Sequence, residues 1–267
     1  MKTKFFLAIF ILVTVFLSKV YAIEQITIAG SGDPQTLLRL LAAGFEMENP
    51  GTKINVPDSV GSGGGIRQTG MGVCDMGRVA RDITESEKKY NLKKIDFAYS
   101  PVVFAVNPSV SNITNLSDKQ IIGIYSGKIK TWEEIGAKNG KIYVASREDG
   151  DTSTAVIKNN ITGFSKIEKL AGKTLFSAPD MMNALVKYKN TIGFLSLSET
   201  KNTYLKILSI NDIKPTKENI EQGLYKLSLN FGLVYKKLNP LSKRFIQFIK
   251  GPKGKEIITQ TGALASE

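Results

Sequence analysis

Three times in this chain a strand-like run breaks on glycine and small polar residues and then opens into a helical pattern. The junctions are Ala29-Gly-Ser-Gly-Asp33, Val60-Gly-Ser-Gly-Gly-Gly-Ile-Arg67 and Ser146-Arg-Glu-Asp-Gly-Asp-Thr-Ser-Thr154. Turns of this kind leave backbone N–H groups exposed at a helix N-terminus, where the helix dipole adds its own preference for negative charge. Three such cradles in one chain point to a protein that binds an oxyanion.

Around the junctions, strands and helices alternate in a βαβα order, which calls for mixed sheets with helices on their faces. Residues 26–29 read as a strand, and Asp33-Pro34 reads as an N-cap followed by proline at the first helical position. Leu37, Leu38, Leu41, Ala42 and Phe45 give the following helix one apolar face, and Asn49-Pro50-Gly51 ends it. Residues 53–56 are the next strand, 64–69 a second helix and 73–79 an extended run. The apolar strand 99–106 stops at Asn107-Pro108, where the chain is expected to cross to a second lobe. Ser117-Asp-Lys-Gln120 and Thr131-Trp-Glu-Glu134 both fit the capping box. Strand 141–145 feeds the third junction, where Asp151 or Thr152 caps a helix running to about residue 159. After strand 191–195, a return crossing is expected at Ser196 to Ser198. The chain closes with a strand at 231–235 and an amphipathic helix at 241–249. These readings give one lobe from 23–106 with 198–267, a second from 107–197, and a cleft between them at the carboxyl ends of the strands.

Residues 1–22 are set apart from the fold. Lys2 and Lys4 precede an apolar run over 5–17, and Val20-Tyr21-Ala22 offers small residues for cleavage, the pattern of a secretory signal peptide. That run falls well short of the roughly 20 residues a spanning helix needs. With no cysteine near the cleavage site, the expectation is a soluble periplasmic or secreted protein without a lipid anchor. Loss of Lys2, Lys4 and Lys19 would leave 33 basic residues against 24 acidic ones, a net charge of +9. No basic cluster marks nucleic acid as a partner, and export argues against it.

Cys74 stands alone, so no intramolecular disulfide forms, and there is no histidine. That removes Ser-His-Asp and Cys-His catalysis and the common zinc and haem ligand sets. No metal or cofactor is expected. The glycine loop 61–65 is neither a complete dinucleotide fingerprint nor a P-loop, since no acidic residue follows in the right βαβ position and no Gly-Lys-Ser/Thr ends it.

Within the cradles, Ser62 offers a hydroxyl and Gly63 an unobstructed amide, with Ser31 and Gly32 placed similarly in the first. Arg81 and Arg147 are the best charge partners, because a guanidinium fork holds two oxygens at once. Asp149 either orients Arg147 or only shapes the turn with Gly150, and Thr152 and Ser153 put hydroxyls in the first turn of a helix. Trp132, Met181 and Met182 read as core, and Cys74 as a small buried hydrophobe.

Taken in order, these segments resemble the substrate-binding proteins of phosphate ABC transporters. The resemblance is carried by Gly30-Ser-Gly32, Gly61-Ser-Gly-Gly-Gly-Ile66, Asp75-Met-Gly-Arg-Val-Ala-Arg81 with Thr84-Glu-Ser-Glu87, Ile124-Tyr-Ser-Gly-Lys-Ile-Lys-Thr-Trp132 and Arg147-Glu-Asp-Gly150. It implies an α/β, two-lobed periplasmic-binding-protein fold of the second type, with mixed sheets flanked by helices. It further implies one phosphate or similar tetrahedral oxyanion in the cleft and delivery by a monomer to an ABC-type membrane permease. Ser62, Arg147 and Asp149 match the family's ligand positions. Three positions depart from it. Pro34 and Gln35 stand where the first cradle usually offers Thr or Ser, Ala80 replaces a Ser or Asp, and Asp151-Thr-Ser153 replaces Ser-Gly-Thr.

Asp151 is the sharpest departure, since a carboxylate within about 4 Å of a dianion repels it by several kcal/mol at intermediate dielectric. It either turns away to cap its helix or accepts the proton of a monoprotonated oxyanion in place of the acceptor lost at Ala80, and the second is the expectation here. A sensory or interaction module that has lost tight phosphate binding is the rival reading. An enzyme using Asp149 and Asp151 as acid and base is a weaker one, with little besides carboxylates to work with.

Overall fold

The computed structural model describes residues 23–138 and 140–266, so the leader assigned to 1–22 lies outside the described residues. The frame of the molecule is a fourteen-residue strand, β4 (Lys93–Val106), shared between two halves. Its register shows the sharing directly. Residues 93–101 pair antiparallel with β11 (Ser228–Tyr235), and residues 102–106 pair antiparallel with β8 (Thr191–Ser196). Val102 to Val106 are fully buried, which is what a strand covered on both faces requires.

On the β11 side lie β1 (Glu24–Gly30), β2 (Thr52–Asn55) and β3 (Met76–Val79), in the order β2-β1-β3-β11-β4. β1 is parallel to both neighbours, and β11 is antiparallel to β3 and β4. On the other side β6 (Tyr143–Arg147) and β7 (Lys173–Leu175) extend the order β4-β8-β6-β7, in parallel beyond β8. Helices α1 (Gln35–Glu48) and α2 (Gly61–Gly70) belong to the first half. The second half carries α3 (Asp118–Tyr125), α4 (Thr152–Asn160) and α5 (Ala178–Lys187).

The remaining short pieces refine the boundaries. β5 (Asn115–Leu116) pairs with β10 (Ser209–Ile210), and β9 (Lys206–Ile207) pairs with residues 105–106 of β4. The sequence reading returns the chain to the first lobe near Ser196 to Ser198, whereas this pairing keeps residues 206–210 beside the second half. After α6 (Lys217–Glu221) the chain passes back at 225–228, where the Val102 amide donates to Leu227 O at 2.9 Å and the Tyr225 hydroxyl to Val102 O at 2.7 Å. Two-residue strands carry no periodicity, so sequence gives no sign of them. Helices α7 (Pro240–Lys250) and α8 (Pro252–Gln260) pack on α1, and β12 (Leu264–Ala265) closes against β4.

One apolar core runs through both halves. Phe45 meets Phe245 edge-on at 5.3 Å between centroids in the first, and Phe104, Tyr125, Phe164 and Phe194 form a ring cluster in the second. Trp132 is fully buried, with its indole N–H on Asn190 O at 3.2 Å, as the core reading expected. Met181 and Cys74 are buried too. Ser117 and Gln120 form their capping box, but the Thr131 segment makes only a 3₁₀ turn over Glu133–Ile135 before Gly136 takes a left-handed conformation.

Candidate functional site

The sequence cradles lie at the carboxyl ends of β1 and β6 and at the N-terminus of α2, where the two halves face each other. Around the first, Gly65 of α2 packs against the end of β1. A Cβ there would stand 2.7 Å from Gly30 Cα, so only glycine lets the helix come this close. Helix α2 starts at Gly61 rather than at residue 64, which puts Ser62 and Gly63 in its first turn. Its N-cap position, Val60, has no side chain able to cap; the Gly61 amide donates to Ser59 Oγ at 3.3 Å, and among the described hydrogen bonds no side chain takes the amides of Ser62 and Gly63. Ser62 is buried, and its Oγ accepts the Ala80 amide at 3.2 Å, leaving its proton free to donate.

Asp33, read from sequence as the N-cap of α1, does something else. Helix α1 begins at Gln35 with Pro34 at the cap position and no side-chain cap of its own. The cap arrives from 163 residues away, as Glu199 accepts the Thr36 amide at 3.1 Å and the Thr36 hydroxyl at 2.8 Å. Asp33 is thereby free to turn into the cleft, where it is 2% exposed. Its Oδ2 accepts from Ser31 and its Oδ1 from Ser153 of α4, both at 3.3 Å, and its backbone carbonyl accepts the Ser196 hydroxyl at 3.2 Å. The first-half loop thus bonds the second half at two points. Gly32 lies against the start of α5, with 3.1 Å between a notional Cβ and the Ala178 nitrogen.

Opposite stands Arg147 at the end of β6. Its Nη2 meets Asp151 Oδ2 at 2.6 Å in a buried pair, while Nε and Nη1 are buried with no hydrogen-bond partner among the described residues. Asp151 also caps α4, its Oδ1 accepting from the Thr154 amide at 3.0 Å and the Thr154 hydroxyl at 3.3 Å. The capping role that sequence left open to Asp151 is observed, with Oδ1 on Thr154 and Oδ2 on Arg147. Asp149 does not touch Arg147. It is exposed and pairs with Lys158 at 2.9 Å, because the guanidinium is oriented by the residue four positions on.

Arg81 also departs from expectation. Glu87 holds its fork with two bonds of 2.8 Å, and the Asp82 carbonyl takes another. The Arg81 hydrogen bonds hold Glu87 near pKa 2, against the cost of its partial burial. Arg81 therefore shapes the rim beside Gly63 rather than offering a free fork. Ser31 and Ser153 meet at Asp33, and the Arg147–Asp151 pair acts on the same carboxylate, while Gly32 lies against Ala178 and Thr152 is half-buried at the start of α4. Sequence reasoning missed Asp33, Ser196 and Glu199. Burial raises the Asp33 carboxyl from 3.8 to about 6, with Asp151 pushing the same way and Arg147 opposing. Burial raises Glu199 to about 7.

The family model for the PBP superfamily domain matches residues 21–253. The chain belongs to the PBP superfamily. Two curated relatives extend over most of it. A phosphate-binding protein PstS of Borreliella burgdorferi is 27% identical over 252 residues, covering 90% of this chain and 89% of the relative. Its counterpart in Bacillus subtilis is 29% identical over 245 residues, covering 89% and 79%. Among solved structures, a Clostridium perfringens substrate-binding protein, assigned to a phosphate ABC transporter and crystallised with phosphate, superposes with a TM-score of 0.81 at 26% identity, covering 91% of this chain and all of that one. An ABC-type phosphate transport receptor of Vibrio cholerae superposes at 0.65 with 27% identity, covering 90% and 99%. These likenesses bear out the two-lobed α/β architecture expected of this superfamily member.

Proposed function

We propose that this PBP superfamily member is an exported solute-binding protein that captures phosphate, or a closely similar tetrahedral oxyanion, for an ABC-type uptake system. The observation that carries the reading is Arg147, a buried guanidinium with one fixed carboxylate partner and two N–H-bearing nitrogens left unpaired. A buried donor without a partner costs about 1–3 kcal/mol, more when charged, and an oxyanion removes that cost. Asp151 holds the fork in place. The Ser62 hydroxyl and the amides of Ser62 and Gly63 supply neutral donors from the opposite lobe, and Thr152 supplies a further hydroxyl, while Ser31 and Ser153, whose protons go to Asp33, line the same enclosure. No bond is made or broken, and the closing of the lobes over the anion is the signal a permease reads. The relatives named for phosphate binding support the choice of anion, and the leader-like residues 1–22 support export. The protein is proposed to act as a monomer.

One observation favours the rival reading of a sensor that has lost tight binding, namely the Asp33 carboxylate inside the cleft. Calorimetric titration of the mature chain, refolded from denaturant to remove any carried-over anion, separates the two. Saturable one-to-one binding of phosphate, with sulfate and molybdate much weaker, is the expected result. Absence of heat with all three anions, from protein that still unfolds cooperatively, overturns the transport reading in favour of the sensor.

A further inference from the structure

Asp33 is a charge that the binding scheme above does not use. Arg147 is already matched by Asp151 at 2.6 Å, so the pair is close to neutral before any ligand arrives. Asp33 adds a second carboxylate to the same enclosure, held by two serine hydroxyls at 3.3 Å rather than by a cation. The charged groups that act on it are Asp151 and Arg147 from the second half, and it in turn acts on Glu199, the carboxylate on the N-terminus of α1. Ser31 and Ser153 are neutral. An oxyanion drawn to Arg147 therefore meets uncompensated negative charge at Asp33, in surroundings too dry to screen it.

Resting on the phosphate reading, we infer that Asp33 is a charge-selecting residue that carries a proton when the cleft is filled, so that each anion is captured together with one proton. The proton converts the carboxylate into a carboxylic acid, which replaces an acceptor facing the anion with an O–H donor. No bond other than O–H forms or breaks. In the empty cleft burial already brings this group to about 6, and the charge of an arriving anion raises it further. Between that value and the higher one of the filled cleft, binding draws a proton from solution and tightens as pH falls. Below it the carboxyl is already protonated, and the dependence from this source levels off.

The test is calorimetry of sodium phosphate binding to the mature protein, in pairs of buffers with unlike ionisation heats, at about pH 5, 7 and 8. D33N and D33S are run alongside, with thermal melts to establish that each variant folds. The asparagine mimics the protonated carboxyl in shape, and comparison with it cancels the titration of phosphate itself. At about pH 8 the wild type is expected to take up close to one more proton per phosphate than D33N. There D33N binds at least tenfold tighter, since a proton need cost it nothing, and the gap closes by about pH 5. D33S follows D33N in proton count. Equal proton counts in wild type and variants, or variants that bind no tighter than wild type at pH 8, overturn the inference while leaving phosphate capture intact. No phosphate binding by the wild type at any pH overturns the phosphate reading, and this inference with it.

Discussion

Two buried arginines of this molecule show that burial of a cation does not by itself mark a ligand site. Arg78 on β3 is fully inaccessible, and each of its three nitrogens has a partner. Nε and Nη1 go to the carbonyls of Ser31 and Ile28, and Nη2 goes to Gln35 Oε1 and the Pro57 carbonyl. Among the described residues no carboxylate pairs with it, and burial lowers its pKa to about 10. Its work is to fix the end of β1 and the loop that follows. Arg147 is also buried, but among the described residues it has one side-chain partner and two nitrogens without any. The first arginine is closed by the fold itself, and the second is left for something the fold does not contain.

The sharpest way to break this contrast is to remove each arginine and ask whether stability or binding fails. Arg78→Met strands four acceptors and is expected to cost about 3–5 kcal/mol in urea-induced unfolding. Phosphate affinity of the remaining folded protein should change far less. Arg147→Lys keeps a positive charge beside Asp151 but loses the fork. It should weaken phosphate about 100-fold by calorimetry, with a midpoint of unfolding close to wild type. A reversal of these two outcomes would erase the distinction.

A smaller effect separates the surroundings of Arg147 from those of Arg81 by pH. Asp33 lies beside Arg147, and its pKa is higher folded than unfolded, so its contribution to stability is complete below about pH 4 and lost as pH rises through about 6. Glu199, raised to about 7, acts in the same direction. Ligand-free protein should therefore lose up to about 3 kcal/mol from the Asp33 shift on going from pH 4 to 8, and D33N should remove that part of the slope. Glu87 beside Arg81 has the opposite sign, since its depressed pKa makes its contribution fall away only as pH drops from about 4 toward 2. The smallest effect sharpens the site's edge. Asp149→Asn should leave phosphate affinity within about twofold, because that carboxylate reaches Lys158 and not Arg147.

The sequence made the layers and the cradles legible because glycine turns and apolar periodicity are local signals. It failed where a role is filled from far along the chain. Asp33-Pro34 is a sound N-cap signature, and nothing near it reveals that Glu199 will cap α1 and release Asp33 into the cleft. Asp151 rather than Asp149 meets Arg147 because the arginine ends β6 and the aspartate caps α4, and no sequence period describes the turn between a strand and a helix. Arg81 looked free because its partner Glu87 sits beyond a turn, although the Thr84 capping box was visible.

The position of β11 also sets the order in which this chain can become a protein. Its residues, 228–235, lie between β3 and β4 and pair with both, so neither of those early strands has its inner neighbour until nearly the whole chain has been synthesised. The second half is nearly contiguous in sequence and can build its own sheet from β4 onward. The half that begins with β1 is thus expected to be the last to close, and it waits with apolar strand edges unpaired. For this architecture the arrival of one late strand is expected to slow folding, and the exposure of the early ones until then to be the interval in which aggregation competes.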